Sequence, residues 1–472
     1  MADVDWAPTL REYYRSPAVR ARIAEYCGGR RGQPGSFSCL GLAGYGGEKR
    51  LFEADGGPTP CPNADLERLF DEGADVCRSL ADRGGTLLQL DVDYVDPRDP
   101  GEPYRRPELV FERLEPVHRV LRELFAAYGM APRVVLAGRG YHFTVRAPLG
   151  SAFQSALVAA GEIGEAMAAK AGRSVLDPEL ALRLARGHEG AGRVLEHLVH
   201  RALHRLRGQT EVEATLTDLA PPGREPFICL DLTAYADPLF ERYSRCAFSA
   251  NQKAGVQGAA LDHPFVLTLL RDRQTLAGLM RRREKTEAAA AQAKVATATI
   301  PDVTDAPELL QDYRRGPVGR FHAEFYRGPR LGPTQWPFTY DRLTESQMPA
   351  CLRVPLEHPN PLLLRPGCLR TVALGLWGLG WHPRSIAGIV SARFQQDHGW
   401  RPSFDRYDAA SRAEFYVRTF CGALADGLDS AAEFTCDTQR GRGLCEAMQC
   451  TAEERRLFAS AAEALERKGG NA

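Results

Sequence analysis

The chain has 472 residues, with 60 lysines and arginines against 60 aspartates and glutamates, so its formal charge is zero. That length exceeds one ordinary hydrophobic core and predicts two or three domains, while the balanced charge removes any global argument for nucleic acid and leaves only a locally basic face. No apolar run is long enough to span a membrane, and "MADVDWAPTL" lacks the build of a signal peptide, so a soluble, cytoplasmic protein is expected.

In chain order, the first stretch to carry chemistry is "TLLQLDVDYVDPRD", residues 86–99. Leu87, Leu88, Leu90 and Val92 have the apolar character of a strand inside a sheet. Asp91 and Asp93 stand two apart, which puts both side chains on one strand face, about 7 Å apart along the chain. Like charges so placed raise one another's pKa unless a cation neutralises them. Taken alone, this D-x-D reads either as a strand end with solvated acids or as a clamp for a divalent cation.

The next strand pair is "RVVLAGRGYHFTVRA", with Gly138, Arg139 and Gly140 between two apolar runs and His142 inside the second. Glycines let a backbone approach a ligand closely, and Arg139 offers a planar fork for phosphate. His142 alternates with Tyr141 and Phe143 and so faces away from them; it is either a hydrogen-bonded core residue or a ligand-binding one. "SAFQSALVAAGEIGEAMAAKA" and "VLEHLVHRALHRLRG" read as helices within an insertion at about residues 150–220. In "ICLDLTAYADPLFERYSRCAFSANQKAGV", Asp231 again ends an apolar run, and Ser249 and Lys253 follow in a polar, loop-like segment. Three carboxylates, a histidine, an arginine and a lysine form the inventory for metal-assisted nucleotidyl transfer: acids for cations, basic groups for a triphosphate.

The run Arg271–Lys285 reads as a basic helix face near a template or as ordinary solvation. Residues 284–307, "EKTEAAAAQAKVATATIPDVTDAP", are Ala-rich without spaced large apolar residues, and read as a linker that is helical at its start. Beyond it, "LRTVALGLWGLGW", "RSIAGIVSARF" and "RAEFYVRTFCGALADGL" keep helical spacing, with no convincing strand. The expected architecture is an α/β (α+β) domain with a central mixed sheet over residues 1–283, the linker 284–307, and an all-helical, cysteine-bearing domain over 308–472.

Six of the 12 cysteines, Cys351, Cys368, Cys421, Cys436, Cys445 and Cys450, fall in the last third. The skew points to a metal or cluster site rather than a disulfide framework, but neither C-x-x-C nor a Cys/His finger spacing occurs, so a zinc ribbon is not expected. Cys368, in "RPGCLRT", reads as structural. Arg353, Arg365, Arg370, Arg384 and Arg393, interleaved with Trp377, Trp381 and Trp400, read either as a cradle for a nucleic-acid strand or as a solvated face.

Asp91-x-Asp93, Gly-Arg-Gly-Tyr-His142 and Leu-Asp231, in this order, resemble the three signature motifs of the archaeo-eukaryotic primase superfamily. The segment ending in Lys253-x-Gly255 and the N-terminal "LREYYRSPAVR" are also similar to the small, catalytic primase subunit, so the likeness spans roughly residues 10 to 260. It implies that Asp91, Asp93 and Asp231 bind two Mg²⁺ or Mn²⁺ ions, and that Gly138, Arg139, His142, Ser249 and Lys253 hold the nucleotide. The chain departs from the pattern at Asn251, where histidine is usual, at Ala137, where serine is frequent, and in having no cysteine cluster after Asp93. "PACLR" and "EFTC" resemble the first and second ligand segments of the iron–sulfur domain of the primase large subunit, although the spacing after Cys436 is shorter here. That resemblance implies a [4Fe–4S] cluster on Cys351, Cys436, Cys445 and Cys450, with Cys421 as the substitute ligand.

The combined expectation is a single-chain DNA primase-polymerase, nucleoid-associated, that makes primers on single-stranded DNA from nucleoside triphosphates by a two-metal mechanism. Its expected protein partner is a helicase or another replication or mobile-element protein. Two alternatives stand beside it: a non-catalytic nucleic-acid-binding replication or repair assembly protein with a primase fold, and a D-x-D glycosyltransferase. The latter leaves Asp231, Lys253 and the cysteines without a role.

Overall fold

The computed structural model describes residues 6–29, 37–42, 63–172, 176–217, 219, 225–256, 262–263, 265–266, 278, 280, 283–329, 348–357, 362–395, 408–445 and 450–469. Its sheet is built from β1 (Phe37–Leu42), β2 (Asp75–Asp82), β3 (Gly85–Val95), β4 (Arg133–Ala137), β5 (Gly140–Pro148), β6 (Glu213–Leu216), β7 (Phe227–Asp231), β8 (Tyr243–Arg245) and β9 (Phe265–Val266). The order is β1-β2-β3-β5-β4-β9. β2 touches β3 only at its start, through Ala81 and Asp82, which leaves the second half of β3 open on that edge. β7 fills the gap, pairing from Asp91 to Val95, and β6 extends the sheet beyond it as a parallel partner. The strands β3, β4, β5 and β7 fall where the alternation and apolar runs place them; β1, β2 and β6 carry no comparable sequence signal.

The central strand β3 is buried from Gly85 to Leu90, then alternates: Asp91, Asp93 and Val95 are half-buried, while Val92 and Tyr94 are fully enclosed. On the enclosed face, Tyr141 meets Phe111 edge-on at 5.2 Å and Phe143 stacks on Phe125 at 6.0 Å, both partners coming from the helix Pro107–Ala127. The long helix Pro178–Leu206 packs on β3 as well. Because the strand period is two, burying Leu88, Leu90 and Val92 forces the aspartates onto the opposite face.

The Ala-rich segment does not hang free. Ala289 and Ala293 of its helix Thr286–Val295 are buried against the first core, because small side chains permit a close approach without bulk. Past the helix, Arg146 N–H donates to Pro301 O at 2.9 Å and Val303 N–H to Arg146 O at 2.8 Å, so residues 301–303 extend β5 where β4 has ended. Leu309, Leu310, Tyr313 and Val318 also belong to this first core, so its packing continues past residue 308.

A second core gathers the helices Ala350–Glu357, Pro366–Gly378, Pro383–Phe394, Ala409–Ala425 and Ala452–Gly469. No strand occurs among the described residues of this half. Trp377 and Trp381 pack into this core, Trp377 edge-on to Phe321 at 5.8 Å, rather than forming a stacking surface. Arg370 is tied to Asp429 at 2.6 and 2.5 Å and Arg353 to Glu357 at 3.1 Å, so these arginines are already paired; Trp400 lies outside the described residues. The two cores meet across an ionic seam. Arg418 binds Glu196 at 3.0 Å and the Tyr326 hydroxyl at 2.7 Å, and Asp426 accepts from His200 at 2.8 Å and His204 at 3.0 Å. Among the described residues no helix is long and apolar enough to cross a membrane.

Candidate active site

The register of three strands sets the site. Asp91 is opposite His142 of β5 on one side and opposite Asp231 of β7 on the other. Directly opposed residues share a face with their Cβ atoms about 5 Å apart, so His142, Asp91 and Asp231 form one row across the sheet. Asp93 lies one step further along the same face, flanked by Gly140 and Cys229. Gly140 is required there: a Cβ would stand 1.7 Å from the Val92 carbonyl oxygen, so only glycine lets β5 lie against β3.

Each acid is individually held. Gln89, two residues before Asp91 on the same face, donates Nε2–H to Asp91 Oδ1 at 2.9 Å. His142 Nε2 is 3.9 Å from the same oxygen, and its Nδ1 is buried without a hydrogen-bond partner. Asp231 accepts from the Thr233 backbone N–H at 2.8 Å and from the Thr233 hydroxyl at 3.0 Å. Asp93 pairs with Arg139 Nη2 at 2.7 Å. Burial opposes the Arg139 charge, but Asp93 outweighs it and holds the guanidinium above its ordinary range.

The row is electrostatically loaded. Burial, reinforced by the charges of Asp91 and Asp93 and opposed by the Thr233 bonds, pushes the Asp231 carboxyl up to about 7. Asp91 is raised as well, by burial first and by Asp93, while His142, Gln89 and Arg242 work the other way. Carboxylates crowded on a half-buried face call for positive charge, and their donor set is that of hard divalent cations. Among the described residues, no three histidine, cysteine or carboxylate side chains are already closed around one point.

The Gly138–Arg139 turn is fixed from behind. Gly138, at φ +55°, donates its N–H to Asp262 Oδ2 at 2.8 Å and its carbonyl accepts from Arg283 Nη2 at 2.8 Å. Asp262 also binds Arg283 Nε at 2.6 Å and Asn251 Nδ2 at 3.0 Å. Thus Asn251 is engaged in holding the turn. Arg283 is a buried strut rather than part of a basic helix face; most of the run from Arg271 lies outside the described residues. Lys253 opens the one-turn helix Lys253–Val256 just beyond Asn251 and is half-buried.

Ser249 does not join the site. It is fully buried, its hydroxyl accepting from Val76 N–H at 2.6 Å and lying 3.1 Å from Ala250 O as donor, because the segment plugs into the core beside Tyr14 rather than looping outward. Sequence reasoning missed Gln89, Thr233, Asp262 and Arg283. For Gln89 and Thr233 a signal existed, each being two residues from an acid; Asp262 and Arg283 have none, since their role depends on long-range packing.

In the helical half, Cys351 is buried, Cys445 and Cys450 are half-buried and Cys436 is exposed. Burial, then the charges of Cys445, Cys450 and Cys436, raise the Cys351 thiol, which puts all four in one neighbourhood. Cys450 Sγ accepts the Ala350 N–H at 3.4 Å, tying the last thiol to the helix that carries the first. Cys421 lies elsewhere, fully buried, with Lys468 and Asp429 as its charged neighbours, so it is not placed to substitute for Cys450.

No protein-family model and no curated protein matches this chain. Among solved structures it is similar to the polymerase domain from Mycobacterium tuberculosis Ligase D in complex with DNA, at 15% identity and a TM-score of 0.30, over 60% of this chain and 92% of that one. A likeness this loose fixes neither fold nor function.

Proposed function

We propose that this chain is a template-directed nucleotidyltransferase, a primase-polymerase acting on single-stranded DNA. The observation that carries the reading is the row His142–Asp91–Asp231, with Asp93 one step along and Arg139 reaching it from a fixed glycine turn. In this reading Asp91, Asp93 and Asp231 hold Mg²⁺ or Mn²⁺, which supplies Lewis acidity for attack of a 3′-hydroxyl on the α-phosphate and for departure of pyrophosphate. Arg139, His142 and Lys253 would bind the triphosphate, the Arg139 guanidinium being held beside the carboxylates by its pair with Asp93. Cys351, Cys436, Cys445 and Cys450 carry a [4Fe–4S] cluster in the helical half.

The test is synthesis from labelled nucleoside triphosphates and Mn²⁺ on unprimed single-stranded DNA. Oligonucleotide product that vanishes in Asp91→Ala and Asp93→Ala, with an unchanged circular dichroism spectrum, is the expected result. Extension of a supplied primer alone removes the initiating role and keeps the polymerase. DNA binding with no nucleotide incorporation by the wild type overturns the enzyme and leaves a binding protein.

A further inference from the structure

The turn that follows Asp231 is held by a series of charges that begins in the other domain. Asp237 comes directly after the short turn Thr233–Ala236, and its carboxylate is completely buried. Arg412, from the helix Ala409–Ala425, grips it with two bonds, Nε to Oδ1 at 2.5 Å and Nη2 to Oδ2 at 3.1 Å. On its other side Asp237 pairs with Arg242 Nη2. The same Nη2 donates to the Thr233 carbonyl at 2.8 Å, and Thr233 in turn holds both carboxylate oxygens of Asp231. The Arg242 backbone cannot drift, because its carbonyl accepts the Leu80 N–H of β2 at 2.9 Å. Arg242 also stands near enough for its charge to act on Asp91.

A buried carboxylate is satisfied by one well-placed guanidinium; Asp237 has two, one from each domain. Arg242 therefore shares Asp237 with Arg412 and keeps the Thr233 carbonyl as its second partner. Without Arg412, the buried charge of Asp237 falls to Arg242 alone, which draws Nη2 away from Thr233 and loosens the turn that orients Asp231.

We propose that Arg412 and Asp237 are positioning residues through which docking of the helical domain sets the Asp231 carboxylate and, with it, the affinity of the carboxylate row for divalent cations. The inference rests on the reading of that row as a cation site. Residues that orient metal ligands without touching the metal typically change affinity about 10-fold when removed.

The experiment is a Mn²⁺ titration of the full-length protein followed by electron paramagnetic resonance, which needs no turnover. Arg412→Gln and Asp237→Asn are each expected to weaken Mn²⁺ binding about tenfold, the double variant to be no worse than the weaker single one, and Arg412→Lys to recover part of the loss. Asp426→Asn, which removes an interdomain contact remote from Asp231, is expected to bind Mn²⁺ as the wild type does, with unfolding midpoints recorded for all variants. Wild-type affinity in Arg412→Gln overturns the inference and leaves the cation site standing. So does an equal loss in Asp426→Asn, which would mean that any loosening of the domains is enough. If the wild type binds no Mn²⁺, the reading of the carboxylate row falls, and the inference with it.

Discussion

Asp231 shows how a single side chain registers the whole site. Its folded pKa of about 7 exceeds the ordinary carboxylate value, so between the two the folded state holds more protons than the unfolded one. The contribution of Asp231 to stability in chelator should therefore fall as pH rises from about 4 through about 7, against the opposite trend set by the buried histidines. Asp231→Asn removes that fall: in EDTA at pH 8 the variant should be more stable than the wild type by about 1–2 kcal/mol, discounted for partial exposure, with the gap closing at pH 4.5. Guanidinium unfolding at the two pH values checks this; a variant less stable at pH 8 would mean that Asp231 is not under charge stress. Mn²⁺ should reverse the order, stabilising only the wild type.

At the scale of elements, the strand pair β3–β5 and the cysteine-bearing helices bear the weight. Gly140→Ala forces a methyl group onto the Val92 carbonyl, so β5 must move away from β3. Overpacking of this kind costs about 1–3 kcal/mol or more, and here it also splits His142 from Asp91. Lower unfolding midpoint together with weakened nucleotide binding is the expected pair of effects. Among the thiols, Cys351→Ser and Cys450→Ser should each abolish the brown absorbance near about 400 nm of anaerobically purified protein. Cys421→Ser should keep it, since that thiol sits apart from the four. Colour retained in both of the first two variants would sink the ligand assignment. The parity of β3 was legible in the sequence because it is a local pattern. The fate of Ser249 was not: its polar surroundings read as a loop, and only packing against Tyr14 and β2 turns it inward.

For the whole molecule, the seam between the two cores governs behaviour in acid. Burial depresses His188 to about 4 and, with the neighbouring Arg201 and His200 charges, His197 to about 4 as well. Both lie on the helix Pro178–Leu206, which faces the helical domain. A histidine with a lowered folded pKa takes up a proton on unfolding between that value and its ordinary one, so stability rises with pH across that window. Through these rings, acidification from pH 7 to 4.5 should therefore destabilise the protein, by about 2 kcal/mol per imidazole. His197→Gln should flatten the dependence of the unfolding midpoint on pH. A pH dependence left unchanged in His197→Gln would show that this ring is already solvated.

What the amino-acid sequence determined by itself is what strand and helix periods encode. Alternation along β3 puts Asp91 and Asp93 on one face, Asp231 closes an apolar run, and the C-terminal half repeats at helical spacing. Tertiary structure decided what lies opposite what. Only strand register aligns His142, Asp91 and Asp231 in a row; only packing makes a strap of the Ala-rich segment, buries Trp381 and sets Trp377 against the second core; only docking brings Arg412 to Asp237. The reason is physical: a period depends on near neighbours in the chain, whereas register, burial and ion pairing between domains depend on contacts whose free energy exists only once distant segments have met.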